Sequence, residues 1–276
     1  MNKSFLQKIA AFMAVFFVGV LTASGCKGGE NTSESSVLPE IVVGSDYYAP
    51  YIYLDETGSF VGIDVELITE ICKHIGYKAR FKHIEWQEKN DLLEKGEIDC
   101  LMGSFSCTGR ENDYNWTDPY MNSRQVVAVP EDSDINEIGD LKGKRVAVQS
   151  TTKPDEIFSG RAGVKMTVPE LGSLNCFPNM TYIFAAINEG YVDAIAGHEV
   201  VLREYMKTSS VKLRILDEPL LEVQIGIAFY KDTHSELISK INATLRLMKN
   251  SGDMAKIVSS YGLNPDVYLV DYEKNR

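Results

Sequence analysis

Short apolar runs alternate with amphipathic helical runs along this chain, and this alternation constrains the fold more than any other feature of the sequence. The first part of the chain reads as strand, helix, strand, helix and strand, over residues 41–44, 64–75, 78–84, 91–94 and 98–102. Strands of period two and helices of period 3.6 that follow each other in this order are typical of βαβ units. The order therefore predicts a parallel sheet covered by helices.

The same pattern returns in the second half of the chain. A strand is predicted over residues 145–149, a helix beginning near Pro154, a second helix over 181–189 and a strand over 192–196, and a longer helix over 235–261 follows. Proline fits the first turn of a helix because it has no N–H to donate. The two halves also share a short motif, in which a helix ends at glycine and a strand begins beside an acid: Leu93-x-x-Gly96-x-Ile98-Asp99 and Ile187-x-x-Gly190-x-Val192-Asp193. The repetition predicts two similar α/β lobes.

Two further apolar runs, residues 125–130 and 224–230, lie where the chain would leave the first lobe and return to it. Two crossings make a hinge, and a hinge between two lobes makes a cleft. Ligands of open α/β sheets bind at the carboxyl ends of the strands, so the cleft is the predicted site. The predicted division is a first lobe formed by residues 38–127 and 226–276 and a second lobe formed by residues 128–225.

The N-terminus has the pattern of a secretion signal. Lys3 and Lys8 precede an uncharged apolar run of 13 residues, 9–21, which suits a signal-peptide core and is too short to span a bilayer. Small residues then lead to Cys26 and resemble the lipobox of bacterial lipoproteins, with Ala23 where leucine is usual.

This pattern predicts a signal peptide over residues 1–25, lipidation of the new N-terminal Cys26 and a polar, flexible tether over residues 26–37. The alternative is ordinary cleavage with an incidental cysteine. No later stretch has 18 consecutive apolar residues. The expected location is therefore outside the cytoplasm, on the cell membrane through the lipid.

Charge and cysteine content exclude several classes of function. The formal net charge is −11, and a surface this acidic argues against nucleic-acid binding. Four cysteines remain after Cys26, without the spacing of a zinc site or the density of a disulfide framework. We expect Cys72 and Cys100 to be small buried apolar residues. No metal, cofactor or catalytic residue is predicted, and a monomer is expected.

Motifs spread along the chain together resemble one protein family. They are residues 44–51 (GSDYYAPY), Gly58, 62–66 (GIDVE), Trp86, 96–99 (GEID), 104–110 (SFSCTGR), 116–120 (WTDPY) and 141–152 (LKGKRVAVQSTT). Over residues 40–263 the chain resembles the bacterial extracellular solute-binding proteins of the polar amino acid family, which serve ABC importers. The resemblance implies the type II periplasmic-binding-protein fold, an amino acid or related small carboxylate as ligand, and a membrane permease as partner.

The resemblance also implies a set of ligand-binding residues. Arg110 would bind the ligand's α-carboxylate, because a guanidinium matches a carboxylate with two parallel hydrogen bonds. The alternative for Arg110 is a surface residue in a charged stretch. Tyr51 is balanced between pocket and core. The implied set is Asp46, Tyr48, Tyr51, Trp86, Gly103, Ser104, Phe105, Ser106, Arg110, Ser150, Thr151, Thr152, His198 and Glu199.

The chain departs from the family pattern at three positions. Cys107 replaces a common threonine, so either Ser106 or Thr108 would supply a hydroxyl. Ser150 stands where glycine is frequent. His198 replaces the acid that usually pairs with the α-ammonium, and a neutral histidine cannot supply that charge.

Three explanations of the His198 departure follow. Glu199 turns inward and takes the role of the acid, the ligand lacks an ordinary α-ammonium, or Glu199 is a solvated acid in the first turn of a helix.

Two other functions compete with transport. The first is a cleft enzyme of the dehydratase type, which would need an acid of raised pKa such as Glu199 or Asp46. The second is a free-standing sensor of the same fold, which the sequence does not distinguish from a transport protein.

Overall fold

Two β-sheets organise this chain over residues 38–163 and 167–272, which the computed structural model describes. The predicted signal peptide, tether and lipidated Cys26 all fall on residues 1–37, outside the described residues.

The first sheet has five strands within the described residues and carries the N-terminal βαβαβ unit. Glu40–Ser45 pairs in parallel with Lys78–His83 on one side and with Cys100–Leu101 on the other. The strand Ala228–Phe229 of the returning chain pairs antiparallel with Cys100–Leu101 and, on its other side, with Asn115–Trp116. The order across this sheet is Lys78–His83, Glu40–Ser45, Cys100–Leu101, Ala228–Phe229 and Asn115–Trp116.

The second sheet has six strands among the same residues. Arg145–Gln149 pairs in parallel with both of its neighbours, as a βαβ unit requires. The long strand Met121–Pro130 runs antiparallel to all three strands with which it pairs. The order is Leu213–Ile215, Met121–Pro130, Ala194–His198, Arg145–Gln149 and Ser173–Phe177, with Leu221–Ile225 also pairing with Met121–Pro130. The predicted two-lobed α/β architecture is confirmed.

Helices cover these sheets because each has one apolar face. Ile63–Ile75 buries Leu67, Ile68 and Ile71 and ends at Gly76, whose φ of 76° suits glycine. The α-helices are Ile63–Ile75, Lys89–Glu94, Lys153–Phe158, Met180–Asn188, Glu199–Met206, Ser235–Ser251, Asp253–Ser260 and Pro265–Tyr268, with 3₁₀ turns at Trp86–Glu88 and Ile138–Leu141 and a hairpin of Tyr53–Leu54 with Phe60–Val61.

The single helix predicted over residues 235–261 is two helices. Ser235–Ser251 ends at Gly252, whose backbone is left-handed with φ 83°, and Asp253–Ser260 begins directly after it. Residues on both sides of the break are buried, including Met248 and Met254. The break therefore lets the continuous apolar pattern follow the surface of the first lobe.

The repeated motif has the same structure in both lobes. Gly96 and Gly190 end their helices with φ of 67° and 68°. Asp99 then accepts a hydrogen bond from the backbone N–H of Val42 at 2.7 Å, and Asp193 accepts one from the N–H of Arg145 at 2.8 Å. In each lobe the acid thus ties its strand to the start of the neighbouring parallel strand.

The chain crosses between the sheets at two adjacent places. The N–H of Thr117 donates to the carbonyl of Ile227 at 3.0 Å, and the N–H of Tyr120 donates to the carbonyl of Ile225 at 2.9 Å. Met121–Pro130 belongs to the second sheet along its whole length, so the first crossing lies before Met121 and not at the predicted residue 127.

The second predicted crossing run, residues 224–230, is divided between the sheets. Ile225 ends a strand of the second sheet, and Ala228 begins one of the first sheet. The paired crossings predicted as a hinge are therefore short.

Buried cysteines contribute to the apolar core as expected. Cys72 and Cys100 are 1% and 0% exposed, and both are free thiols. Within residues 38–163 and 167–272, the structure contains no helix that is long and apolar enough to cross a bilayer.

Candidate functional site

A small buried cavity lies where the carboxyl ends of parallel strands from both sheets meet. Its volume is about 30 Å³, which is room for about two water molecules. Side chains from both lobes close around it, so a larger molecule enters only when the lobes separate. The lining residues are Asp46, Tyr48, Trp86, Gly103, Ser104, Phe105, Ser106, Arg110, Gln149, Thr152, Lys153, Pro154 and His198.

Arg110 is buried at this cavity and joins the two lobes. Its Nη1 donates to the carbonyl of Ser106 at 3.2 Å within the first lobe. Its Nε and Nη2 donate to Glu156 Oε1 at 2.9 and 2.6 Å, across the cleft. Its guanidinium carbon also lies 4.9 Å from the centre of the Phe105 ring. The side chain is held rigidly and stays charged, as an anchor for a carboxylate requires.

Glu156 neutralises two cations at once. Besides its bonds from Arg110, its Oε2 accepts a 2.6 Å hydrogen bond from Lys153 Nζ. The Lys153 side chain is 1% exposed, and burial is the main reason that its pKa is lowered. The carboxylate of Glu156 therefore binds the Arg110 guanidinium, which the family resemblance assigns to a ligand carboxylate.

The loop that follows strand Cys100–Leu101 is held by a buried acid. Asp64 Oδ2 accepts hydrogen bonds from the backbone N–H groups of Gly103 and Ser104 at 2.9 and 3.1 Å, and Oδ1 accepts one from Tyr120 at 2.8 Å. Burial raises the pKa of Asp64 to about 6, while these hydrogen bonds lower it. The helix begins at Ile63, so Asp64 lies in its first turn, and its carboxylate shapes the cavity loop.

The same loop has a backbone that is strained for an L-residue. Ser104 has φ 59° and Gly103 has φ 98°. A Cβ at Gly103 would lie 2.3 Å from Ser45 Oγ, so glycine is required there. The Ser104 hydroxyl is buried and has no hydrogen-bond partner in the described part of the chain.

Aromatic rings form one wall of the cavity. The rings of Trp86 and Phe105 meet edge to face with centroids 5.0 Å apart, and Tyr48 meets His198 edge to face at 6.1 Å. Trp86 Nε1 is buried without a partner among the described residues. Lys89 Nζ lies 5.0 Å from the centre of the Trp86 ring and also contacts Thr151 of the second lobe.

His198 lies in a network of neutral side chains. Its Nδ1 is 2.8 Å from Ser123 Oγ, and its Nε2 is 2.8 Å from Gln125 Nε2 and 3.3 Å from Ser106 Oγ. An amide nitrogen donates, so Nε2 accepts and Nδ1 carries the proton, a tautomer assigned from this network. Burial, with Arg110 contributing, lowers the pKa of His198 to about 3.

Two further contacts close the cleft. Asp46 Oδ2 accepts a 2.5 Å hydrogen bond from Gln149 Nε2, and Lys89 Nζ donates to Thr151 Oγ1 at 2.8 Å. Burial raises the pKa of Asp46 to about 7 and lowers that of Lys89 to about 8. Burial therefore favours the protonated form of Asp46.

Comparison with known proteins agrees with this architecture. The family model for bacterial extracellular solute-binding proteins, family 3, matches residues 41–264. The chain belongs to this family.

Among curated relatives of this solute-binding protein, the L-cystine-binding protein TcyA of Bacillus subtilis (strain 168) is 29% identical over 263 residues, covering 90% of this chain and 95% of TcyA. Among solved structures, the arginine-, lysine-, histidine-binding protein ArtJ of Geobacillus stearothermophilus is 28% identical with a TM-score of 0.73, covering 82% of this chain and 96% of ArtJ.

The ancestral amino acid-binding protein AncCDT-1, described as a precursor of cyclohexadienyl dehydratase, is 26% identical with a TM-score of 0.71. Its alignment covers 80% of this chain and 95% of that protein. Both TcyA and the ABC transporter glutamine-binding protein GlnH of the same Bacillus subtilis strain are named as binding proteins.

Ten of the predicted site residues of this solute-binding protein lie around the one cavity, and four do not. Tyr51 is fully buried in the core of the first lobe. Ser150 N–H donates to the carbonyl of Phe177 at 2.8 Å. Thr151 N–H donates to Asp155 Oδ2 at 2.8 Å, so it is not free for an anion.

Glu199 is the fourth residue outside the cavity. It begins the helix Glu199–Met206 and forms ion pairs at 2.7 Å with both Arg124 and Arg203. Arg124 is the first cause of its lowered pKa. Glu199 is buried and paired with two arginines, and it does not line the cavity. The dehydratase alternative loses its first candidate acid for the same reason.

The choice of hydroxyl beside Cys107 is also resolved by the geometry. Ser106 lines the cavity, whereas Thr108 Oγ1 accepts the N–H of Gln224 at 2.9 Å and serves the crossing. Thr152 lines the cavity, but its hydroxyl donates to the carbonyl of Gln149 at 2.6 Å and does not cap the helix.

Three lining residues of the second lobe, Gln149, Lys153 and Pro154, are absent from the predicted set. Gln149 ends a predicted parallel strand, and the rule that ligands gather at carboxyl ends of strands points to it. Lys153 and Pro154 follow in the same loop and line the cavity. Glu156, Lys89 and Gln125 have no comparable sequence signal, because their partners are distant in the chain.

Proposed function

We propose that this protein captures an amino acid or a related small carboxylate in the cleft between its lobes and delivers it to an ABC permease. Arg110 carries the proposal, since it is a buried guanidinium at the meeting point of both lobes with hydrogen bonds to each. Closure around a ligand is a hinge motion that is driven by contacts made only when the lobes meet. Membership of the extracellular family supports the same role.

In this proposal each part of the cavity has its own task. Arg110 anchors the carboxylate, the Trp86 and Phe105 rings contact the body of the ligand, and the hydroxyls of Ser104 and Ser106 orient it. The paired crossings near Thr117 and Ile227 act as the hinge, because each holds the other by backbone hydrogen bonds.

Replacement of Arg110 by lysine tests the anchor. Lysine keeps the charge and loses the bidentate geometry, so we expect affinity for any bound carboxylate to fall about tenfold or more, from the loss of charged hydrogen bonds. Isothermal titration with the common amino acids and related acids measures this. Arg80→Lys is the control, since Arg80 is exposed and bonded to Glu40 on the outside of the first sheet. Equal affinities for wild type and Arg110→Lys would remove Arg110 from the site.

We also propose that the mature protein begins at a lipidated Cys26 and is held on the outer face of the cell membrane. Expression in a bacterial host with radioactive palmitate should label the wild type, and Cys26→Ser should lose both the label and its membrane association. Cys176→Ser is the matched control, because Cys176 is the exposed cysteine of the described residues. Label that persists in Cys26→Ser would contradict the anchor.

A further inference from the structure

The charges around the cavity limit what a ligand can carry besides its carboxylate. Among the described lining residues the acidic and basic side chains are Asp46, Arg110, Lys153 and the neutral His198, and Tyr48 adds a phenol. Lys89 lies directly behind the Trp86 ring and adds a third cation. Glu156 touches two of these cations and is occupied by both. Cations therefore outnumber free carboxylates where a ligand would lie.

Neither of the two acids that could receive an ammonium group is placed to do so. Glu199 faces the other side of its helix start, where Arg124 and Arg203 bind both of its oxygens. Asp46 lines the cavity, but it already accepts the amide of Gln149 and is fully buried, which favours its protonated form. An ammonium group would thus enter a cavity with Arg110 and Lys153 and no unoccupied carboxylate.

The His198 wall offers neutral hydrogen bonding instead. Both ring nitrogens are engaged by Ser123 and Gln125, and Gln125 Oε1 is buried without a partner within the described residues. Lining atoms that are also unpartnered there are the Ser104 hydroxyl and the Trp86 N–H. Buried polar atoms without partners are costly, and the two that belong to lining residues, on Ser104 and Trp86, can each be satisfied by a neutral hydroxyl or amide.

We propose that the ligand is a carboxylate whose second polar group is a neutral hydroxyl or amide, as in a 2-hydroxy acid or an N-acyl amino acid, and not a free α-ammonium. This inference rests on the proposed function, because it uses Arg110 as the carboxylate anchor. The neutral group contacts the part of the cavity near His198, Ser106 and Ser104. Aromatic rings on the opposite side of the loop favour an apolar or aromatic remainder.

Matched sets of acids test the inference by titration calorimetry on the purified protein. Each set has an α-amino acid, its 2-hydroxy acid and its N-acetyl derivative, built on alanine, glutamate and phenylalanine. We expect a hydroxy or N-acetyl member to bind at least tenfold more tightly than the free amino acid of its set. A smaller ratio, or a preference for the amino acid, overturns the inference and leaves the proposed function standing. No binding by any acid overturns both.

His198→Asp provides a second measurement. A carboxylate at this position supplies the missing charge, so the preference should move by at least tenfold towards the free amino acid. His234→Asp makes the same chemical change outside the cavity lining and should leave the preference unchanged. Melting curves establish that both variants fold. An unchanged preference in a folded His198→Asp protein also overturns the inference, and the wild-type comparison decides the question if the variant does not fold.

Discussion

Single residues at the cavity owe their properties to burial more than to their type. His198 is a histidine that does not ionise in the physiological range, because its pKa falls to about 3 inside a neutral network. The pKa of Asp46 shifts in the opposite direction, because burial raises it to about 7. Each shift is a difference in proton binding between the folded and unfolded chain, so each makes stability depend on pH.

The His198 shift predicts how acid destabilises the fold. Below pH 6.5 the unfolded chain binds a proton on this residue and the folded chain does not, so this group's contribution to stability falls as pH falls. Its size is about 1.4 kcal/mol per pH unit, or about 2 kcal/mol between pH 6.5 and 5. Urea unfolding of wild type and His198→Gln at both pH values measures the difference in slope. His83→Gln, at an exposed histidine, is the control, and parallel slopes for wild type and His198→Gln would contradict the prediction.

The site residues in loops that follow predicted strands could be predicted from the sequence. Residues that join the site only through contacts with distant parts of the chain could not. Arg110 was predicted from the motif at residues 104–110, and the structure places it in the cavity lining. Glu156 was not, because nothing near it in sequence shows that Arg110 lies 2.6 Å away. Glu199 was misplaced for a related reason. Its two arginine partners are 75 and four residues distant, and only the folded chain shows that they hold it away from the cavity.

Among elements, those with strong periodicity and clear end signals were predicted well. The helix Ile63–Ile75 matches its predicted span within one residue, since apolar spacing and Gly76 mark it. The strand Arg145–Gln149 matches its predicted span. Ser173–Phe177 was not predicted, and its residues are only partly buried, as an edge strand's are. Its pairing with Arg145–Gln149 depends on the assembled sheet.

The crossing elements show where apolar character alone misleads. Residues 224–230 read as one strand, but the chain changes sheets at Gly226, where a Cβ would lie 3.1 Å from the Trp116 ring. Residues 121–124 are alternately buried, and their pairing with Leu221–Ile225 extends the strand by four residues beyond the predicted start. Strand partners that are about 100 residues distant cannot be read from a local window.

At the scale of the whole molecule, polar contacts hold the lobes together across the cleft. They include Arg110 with Glu156, Asp46 with Gln149, and Lys89 with Thr151. The contact of Arg110 with Glu156 occupies the guanidinium that the proposed ligand carboxylate would bind. Ligand binding therefore exchanges internal contacts for ligand contacts, and the free energy of closure sets part of the affinity.

Removal of the Glu156 charge should shift this equilibrium towards the open form. In Glu156→Gln the buried Arg110 and Lys153 lose their shared anion, and loss of one partner of a buried ion pair costs about 3 kcal/mol. Opening lets water solvate both cations, so the ligand-free variant should have a larger radius of gyration than wild type by small-angle X-ray scattering. A bound carboxylate replaces the missing anion, so saturation with the tightest acid from calorimetry should bring both proteins to the same radius.

The matched control for this comparison is Glu204→Gln, which removes an exposed ion pair with Lys207 in the second lobe. Its radius should equal that of wild type with and without ligand, because exposed pairs contribute little. Identical radii for ligand-free wild type and Glu156→Gln would mean that the ion pair does not hold the lobes closed. The other contacts across the cleft, which include those of Asp46 and Lys89, would then be sufficient to keep the ligand-free lobes closed.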